Sequence, residues 1–166
     1  KLGYLRMTNF TKDTSRELDR SLDDLQARGA RGVILDLRYN PGGLLDQGVE
    51  VSDLFLDTKQ EIVSTRGRAR GATKQFFDDA RQNWPELPIV ILVNEGTASA
   101  AEIVAGALQD HDRALLVGNV TYGKGSAQSL FPMANGGALK LTTALWYTPS
   151  GRSINKPVGV NVDDEQ

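Results

Sequence analysis

The sequence predicts an α/β domain built on a largely parallel, covered sheet, with helices on its faces. Three observations predict it. Short runs rich in β-branched residues, "GVILDL" (32–37) and "LPIVILVN" (87–94), have the length and composition of buried strands. Segments of helical period lie between such runs, and the resulting strand–helix–strand alternation is what parallel pairing requires. A late pair of strand-like runs, "SAQSLFPM" and "ALKLTTALWYTP" joined by "ANGG", adds an antiparallel element, so the expected sheet is mixed but mostly parallel.

Taken in order, "LGYLRM" (2–7) alternates apolar and other residues and reads as a strand. In "TKDTSRELDRSLDDLQARGARG", Leu18, Leu22 and Leu25 recur at helical spacing, Thr14 and Glu17 fit a capping box, and Gly29 falls at the position just past the end. After "GVILDL" the turn "RYNPGG" leads into "LLDQGVEVSDLFL", a helix, and "IVST" (62–65) is another strand. Residues 66–86 are polar and interrupted and read as an exposed excursion. "LPIVILVN" is the strongest strand, "TASAAEIVAGALQD" (97–110) a helix of small residues, and "ALLVG" (114–118) a strand. The end, residues 155–166, is expected to be a frayed tail.

The 166 residues amount to about one domain. Hydrophobic residues at 40% and charged residues at 24% are ordinary for a globular chain, and the net charge of −2 gives no basic surface for nucleic acid. With no cysteine, thiol catalysis, disulfides and cysteine metal sites are excluded. His111 is the one histidine, so histidine-based catalysis has a single candidate. No run of about 18 apolar residues is present. The chain opens on Lys1 and enters a strand almost at once, so it reads as a fragment or processed form.

Three stretches can carry chemistry. "GNVTYGKG" matches a phosphate loop through Gly118, Gly123 and Lys124, but Gly125 stands where a hydroxyl residue belongs, and a β-like segment follows instead of a helix. That reading fails on two physical requirements. In "VNEGTASAAEI" a strand ends at Asn94, Gly96 permits a sharp turn, and Ser99 falls at or near the start of the next helix. This is the setting of a nucleophile elbow, a hydroxyl displayed beside unpaired backbone N–H groups. The same stretch is also explained by Thr97 or Ser99 capping the helix, and taken alone it favours the cap.

A nucleophilic serine needs a base. His111 lies twelve residues from Ser99 on the same helix, about 18 Å by helix rise and out of reach. Lys124 is the other option if it is held neutral, and Gln128 carries an amide that can hydrogen-bond the amine without adding charge. The third stretch, "DLRYNPGG", is either an ordinary Pro-Gly turn or a source of bare backbone N–H groups. In the second case Gly42 or Gly43, with Ala100, would complete an oxyanion hole, and Asp36 and Arg38 can pair structurally around it.

Together and in this order, "GYLRMTNF", "VILDLRYNPGGLLDQGVEVSDLFL", "ILVNEGTASAAEIVAGALQD", "TYGKGSAQ" and "YTPSGRSI" resemble the C-terminal processing (tail-specific) serine peptidases, from Gly3 to about Ile154. The resemblance implies a crotonase/Clp protease-like core and an endopeptidase acting on the C-terminal regions of proteins. It makes Ser99 the nucleophile, Lys124 the general base and Gln128 the residue that orients it, with Gly42, Gly43 and Ala100 binding the oxyanion. It implies no cofactor and no metal, and a place outside the cytoplasm, in the bacterial periplasm or envelope or the thylakoid lumen. In that family a PDZ domain and helical segments precede such a core, so this chain is expected to be the catalytic core alone. Thr97 and Ala101 depart from the serines usual there, and Glu95 adds a carboxylate that would hold Lys124 charged if it faced the amine. The rival readings are a non-catalytic peptide-, lipid- or retinoid-binding relative and an acyl-CoA enzyme of crotonase type. A substrate peptide is expected to add as a strand along "LKLTTALWYTP".

Overall fold

The computed structural model describes residues 1–134 and 136–156. In chain order these form β1 (Gly3–Arg6), α1 (Thr14–Ala27), β2 (Val33–Asp36), α2 (Leu45–Asp53), β3 (Glu61–Arg66) and β4 (Lys74–Phe77). There follow β5 (Ile89–Val93), α3 (Ala100–Asp110), β6 (Leu115–Gly118), β7 (Ser126–Pro132) and β8 (Ala138–Tyr147). The fold is α/β, and its strands separate into two sheets instead of one. The first is parallel throughout, in the order β1-β2-β5-β6; the second is antiparallel, in the order β4-β3-β8-β7. In the parallel sheet Arg6 pairs with Asp36, Asp36 with Leu92, and Val93 with Gly118. The strand ends are therefore aligned, and the loops that follow them gather at one edge, where open parallel sheets hold their sites.

α3 lies in the middle of the molecule, and every residue from Ala100 to Leu108 is buried. Its small side chains explain why: a helix hydrophobic all round needs neighbours on every side, and alanines and a glycine let them come close. At Gly106 a Cβ would sit 2.7 Å from the Thr148 methyl carbon. Leu35, Leu37, Val51, Phe55, Ile62, Val63, Ile91, Val104 and Leu108 fill the core between the layers.

Several local expectations are refined. α1 begins at Thr14, but no side-chain bond caps it; Thr14 Oγ1 instead accepts the Thr11 N–H at 2.8 Å. Gly29, at φ 82°, ends the helix as its position suggests. Its N–H bonds Gln26 C=O at 2.8 Å, and the Ala30 N–H bonds Leu25 C=O at 2.9 Å. The 66–86 segment is not a bare excursion. It contains β4, and Trp84 within it is buried, its indole N–H donating to Asp19 at 2.9 Å. Asn155 and Lys156 are tied down, the Lys156 N–H bonding Gly123 C=O at 3.1 Å; the rest of the expected tail lies outside the described residues.

Candidate active site

The turn after β5 is tied to the loop after β2 by short polar groups. Asn94 Oδ1 accepts the N–H groups of Tyr39 and Gly96 at 2.9 and 3.1 Å. Thr97, fully buried, donates from Oγ1 to Leu37 C=O at 2.8 Å and accepts the Asn94 N–H at 3.0 Å. The Ala98 N–H bonds Asn40 C=O at 2.9 Å. Ser99 emerges from this lacing with φ 57° and ψ −122°, a conformation that costs an L-residue about 1–3 kcal/mol. Thr97 thus binds two loops together and does not cap α3; Ser99 stands at the cap position in strained backbone.

Glu102, one turn into α3 and 5% exposed, is the hub that the sequence reading missed. Its Oε2 accepts the Ser99 N–H at 2.8 Å and the Lys124 N–H at 2.9 Å. Its Oε1 accepts the Thr121 hydroxyl and the Gly123 N–H, both at 2.7 Å. Four donors satisfy a buried carboxylate and fix the Lys124 loop against the Ser99 turn. The only sequence signal was the Ser99-x-x-Glu102 spacing of a capping box. The Tyr122 N–H adds a bond to Thr97 C=O at 2.9 Å, and Lys156 Nζ donates to Thr121 C=O at 2.7 Å.

Ser99 and Lys124 line one small cavity of about 50 Å³, walled otherwise by Leu45, Ile103, Trp146 and Ile154. No carboxylate lines it, and Lys124 itself is exposed. Among the described residues no hydrogen bond joins the Lys124 amine to the Ser99 hydroxyl; the two share walls. Gln128 is not brought to the amine. It is exposed on β7, and its Nε2 donates to Thr142 Oγ1 at 2.6 Å. Glu95 is exposed and lies outside the cavity. His111 sits at the far end of α3, with Nε2 2.7 Å from Glu61 C=O.

The two glycines of "NPGG" differ. At Gly42, φ 91°, a Cβ would lie 2.7 Å from Ser99 Cβ and 2.9 Å from Ala100 N, so only glycine fits against the serine turn. Its N–H, however, is taken by Asn40 Oδ1 at 2.9 Å. The N–H groups of Gly43 and Ala100 have no protein acceptor among the described residues. Asp36 anchors the start of this loop. It is buried, receives Arg38 Nε and Nη2 at 2.9 and 2.8 Å, and accepts the Tyr4 hydroxyl at 2.6 Å. The Arg38 guanidinium holds its carboxyl well below the usual carboxylate range. Among the described residues, no group of three or more acidic or histidine side chains is arranged to hold a metal ion.

The loop edge of the open parallel sheet thus brings a strained serine and a lysine to one cavity. The chain belongs to peptidase family S41, whose family profile matches residues 1–165. Its relatives are carboxyl-terminal-processing proteases. One from Bartonella bacilliformis is 49% identical over 98% of this chain and 38% of its own length; one from Picosynechococcus is 44% identical over 99% and 39%. Among solved structures, the photosystem II D1 C-terminal processing protease superposes with a TM-score of 0.85 at 35% identity, covering 93% of this chain and 39% of that one. The chain thus spans about two fifths of the length of these relatives.

Proposed function

We propose that this chain is the catalytic core of a serine endopeptidase that cleaves proteins near their C-termini, with Ser99 as nucleophile and Lys124 as general base. The observation that carries the reading is the shared 50 Å³ cavity, which presents a strained Ser99 and an uncompensated Lys124 to the same space. In the first step Ser99 Oγ bonds to the scissile carbonyl carbon while its proton passes to the neutral Lys124 amine. The carbonyl oxygen becomes an oxyanion facing the Ala100 and Gly43 N–H groups; Gly42 supplies clearance instead of a donor, its own N–H being bound to Asn40. Collapse expels the amine of the departing segment, which takes the proton from Lys124 and leaves an ester on Ser99. Water then loses a proton to Lys124 and attacks the ester. Collapse returns that proton to Ser99 Oγ and frees the new C-terminus.

The Gln128 side chain supports this set only after leaving Thr142 and turning to the amine, so its orienting role belongs to the substrate-bound state. Neither cofactor nor metal enters any step. The extended substrate adds to the free edge of β7, which starts two residues after Lys124, because β8 lies between β3 and β7 and is not an edge. The full-length protein acts outside the cytoplasm and carries a PDZ domain ahead of this core; one Arabidopsis thaliana relative, 40% identical, is a chloroplastic carboxyl-terminal-processing peptidase.

Cleavage of a fluorescent peptide library tests the reading. Wild-type protein is expected to release C-terminal fragments, with Ser99→Ala and Lys124→Ala each reducing the rate at least about a thousandfold. Tight peptide binding with no cleavage, unchanged by either substitution, would instead make this a non-catalytic carrier.

A further inference from the structure

Beside the active-site cavity runs a second, wider groove of about 220 Å³ across the face of the antiparallel sheet. Leu45 and Trp146 belong to both, so the two spaces meet at a common wall. All four strands contribute to the groove. Its floor is small and neutral, with Ala72, Ala127, Ser129 and Ala144 among the lining residues, and no carboxylate lines it. Phe76 on the outermost strand packs on Trp146 with ring centroids 5.9 Å apart and closes one side.

The lip of this groove is the β3–β4 connection, "RGRARGATK", which carries Arg66, Arg68, Arg70 and Lys74 within nine residues. No acidic residue occurs from Ile62 to Phe77, in a chain whose net charge is −2. The whole-chain average conceals this local concentration of positive charge. Arg66 is engaged, its guanidinium 4.3 Å from the Tyr147 ring centroid. Arg68, Arg70 and Lys74 are exposed and form no ion pair among the described residues.

The lip is also held in place. Thr65 Oγ1 donates to Ala72 C=O at 2.7 Å and accepts the Lys74 N–H at 3.0 Å. At Gly67 a Cβ would fall 2.3 Å from Thr143 C=O, so the loop lies directly on β8. Three unpaired cations on an ordered loop, beside a groove that offers them no acid, are complementary to an anionic ligand that passes the catalytic serine.

Resting on the endopeptidase reading, we propose that this cationic lip selects substrates: Arg68, Arg70 and Lys74 receive the acidic side chains of a peptide whose scissile carbonyl lies at Ser99 and whose flanking residues leave the β7 edge and cross the groove toward the lip. Each exposed pairing contributes little alone and is screened by salt, so the lip acts through several charges together and chiefly on association.

Two peptides of equal length and identical residues at the cleaved bond, one with Asp and Glu at flanking positions and one with Asn and Gln, test this. The expected ratio of kcat/KM, acidic over neutral, is about ten at low ionic strength, falling toward one at about 0.5 M salt. In Arg68→Glu/Arg70→Glu protein the ratio inverts; in Arg68→Gln/Arg70→Gln it approaches one. A wild-type ratio near one, or a ratio unmoved by charge reversal in protein of unchanged melting temperature, overturns the proposal. Fluorescence anisotropy of the same labelled peptides on Ser99→Ala protein reads the lip without catalysis. Equal binding of both peptides there defeats the lip alone, whereas preferential binding of the acidic peptide without wild-type cleavage defeats the endopeptidase reading and leaves the lip standing.

Discussion

At the scale of single residues, Ser99 occupies backbone that its side chain disfavours, and the surrounding hydrogen bonds hold it there. Strain of this kind is retained where it displays a reactive group. Ser99→Gly should therefore abolish activity yet raise the melting temperature by about 2–4 °C, the equivalent of about 1 kcal/mol in a domain of this size. Ser99→Ala should abolish activity with little thermal effect, since alanine keeps the strain. Differential scanning calorimetry of the two variants separates display from capping: a substantial loss of stability in both would mean that the hydroxyl serves the helix. Gly42→Ala is a complementary case. Its Cβ would press on Ser99 Cβ, Ala98 C=O and Ala100 N at 2.7 to 2.9 Å, in a region of positive φ. Circular dichroism melts should show a loss of a few kcal/mol, with activity lost in parallel.

At the scale of elements, Glu102 couples the α3 start to the Lys124 loop. Replacing it with Gln leaves one acceptor oxygen where two serve four donors, so Glu102→Gln should cost about 2 kcal/mol or more and slow catalysis. A variant with wild-type melting temperature and rate would show that this carboxylate couples nothing. The β3–β4 hairpin carries a second buried acid. Asp78 is 2% exposed, its Oδ2 has no hydrogen-bond partner among the described residues, and burial together with the nearby Asp53 pushes its carboxyl up to about 7. The folded state then holds a proton that the unfolded chain releases near pH 4. Stability therefore falls as pH rises from about 4 to about 7, and Asp78→Asn should flatten that limb of a melting-temperature profile. Asp36 acts in the opposite sense. Its carboxyl is depressed by Arg38, so the stability it contributes is present above about pH 4 and is lost as pH falls further. Thermal melts of Arg38→Met protein should show a weaker acid limb.

Across the whole molecule, what was legible in the sequence was whatever short spacing encodes. The apolar runs marked β2 and β5, the leucine spacing marked α1, and Ser99 and Lys124 stood out through the strand-to-helix turn and the glycine-flanked loop. What was not legible depends on contacts between distant segments. Glu102 gains its role from Thr121, Gly123 and Lys124, about twenty residues away, and Gly42 loses its donor role to the Asn40 side chain. Gln128 sits at the expected step, yet the strand it belongs to turns its amide toward Thr142. The separation into two sheets escaped periodicity because a strand's pattern reports its faces and not its neighbours. The same division puts the Ser99 and Lys124 turns on the parallel sheet and the groove on the antiparallel one, with Trp146 between them. The most direct measurement of the central claim is reaction with a fluorophosphonate followed by mass spectrometry, which needs no knowledge of the substrate. Covalent labelling confined to Ser99, rising with pH from about 6 to about 9 and lost in Lys124→Ala, is the result expected of a lysine-activated serine. Absence of labelling at Ser99, or labelling equally fast without Lys124, would contradict it.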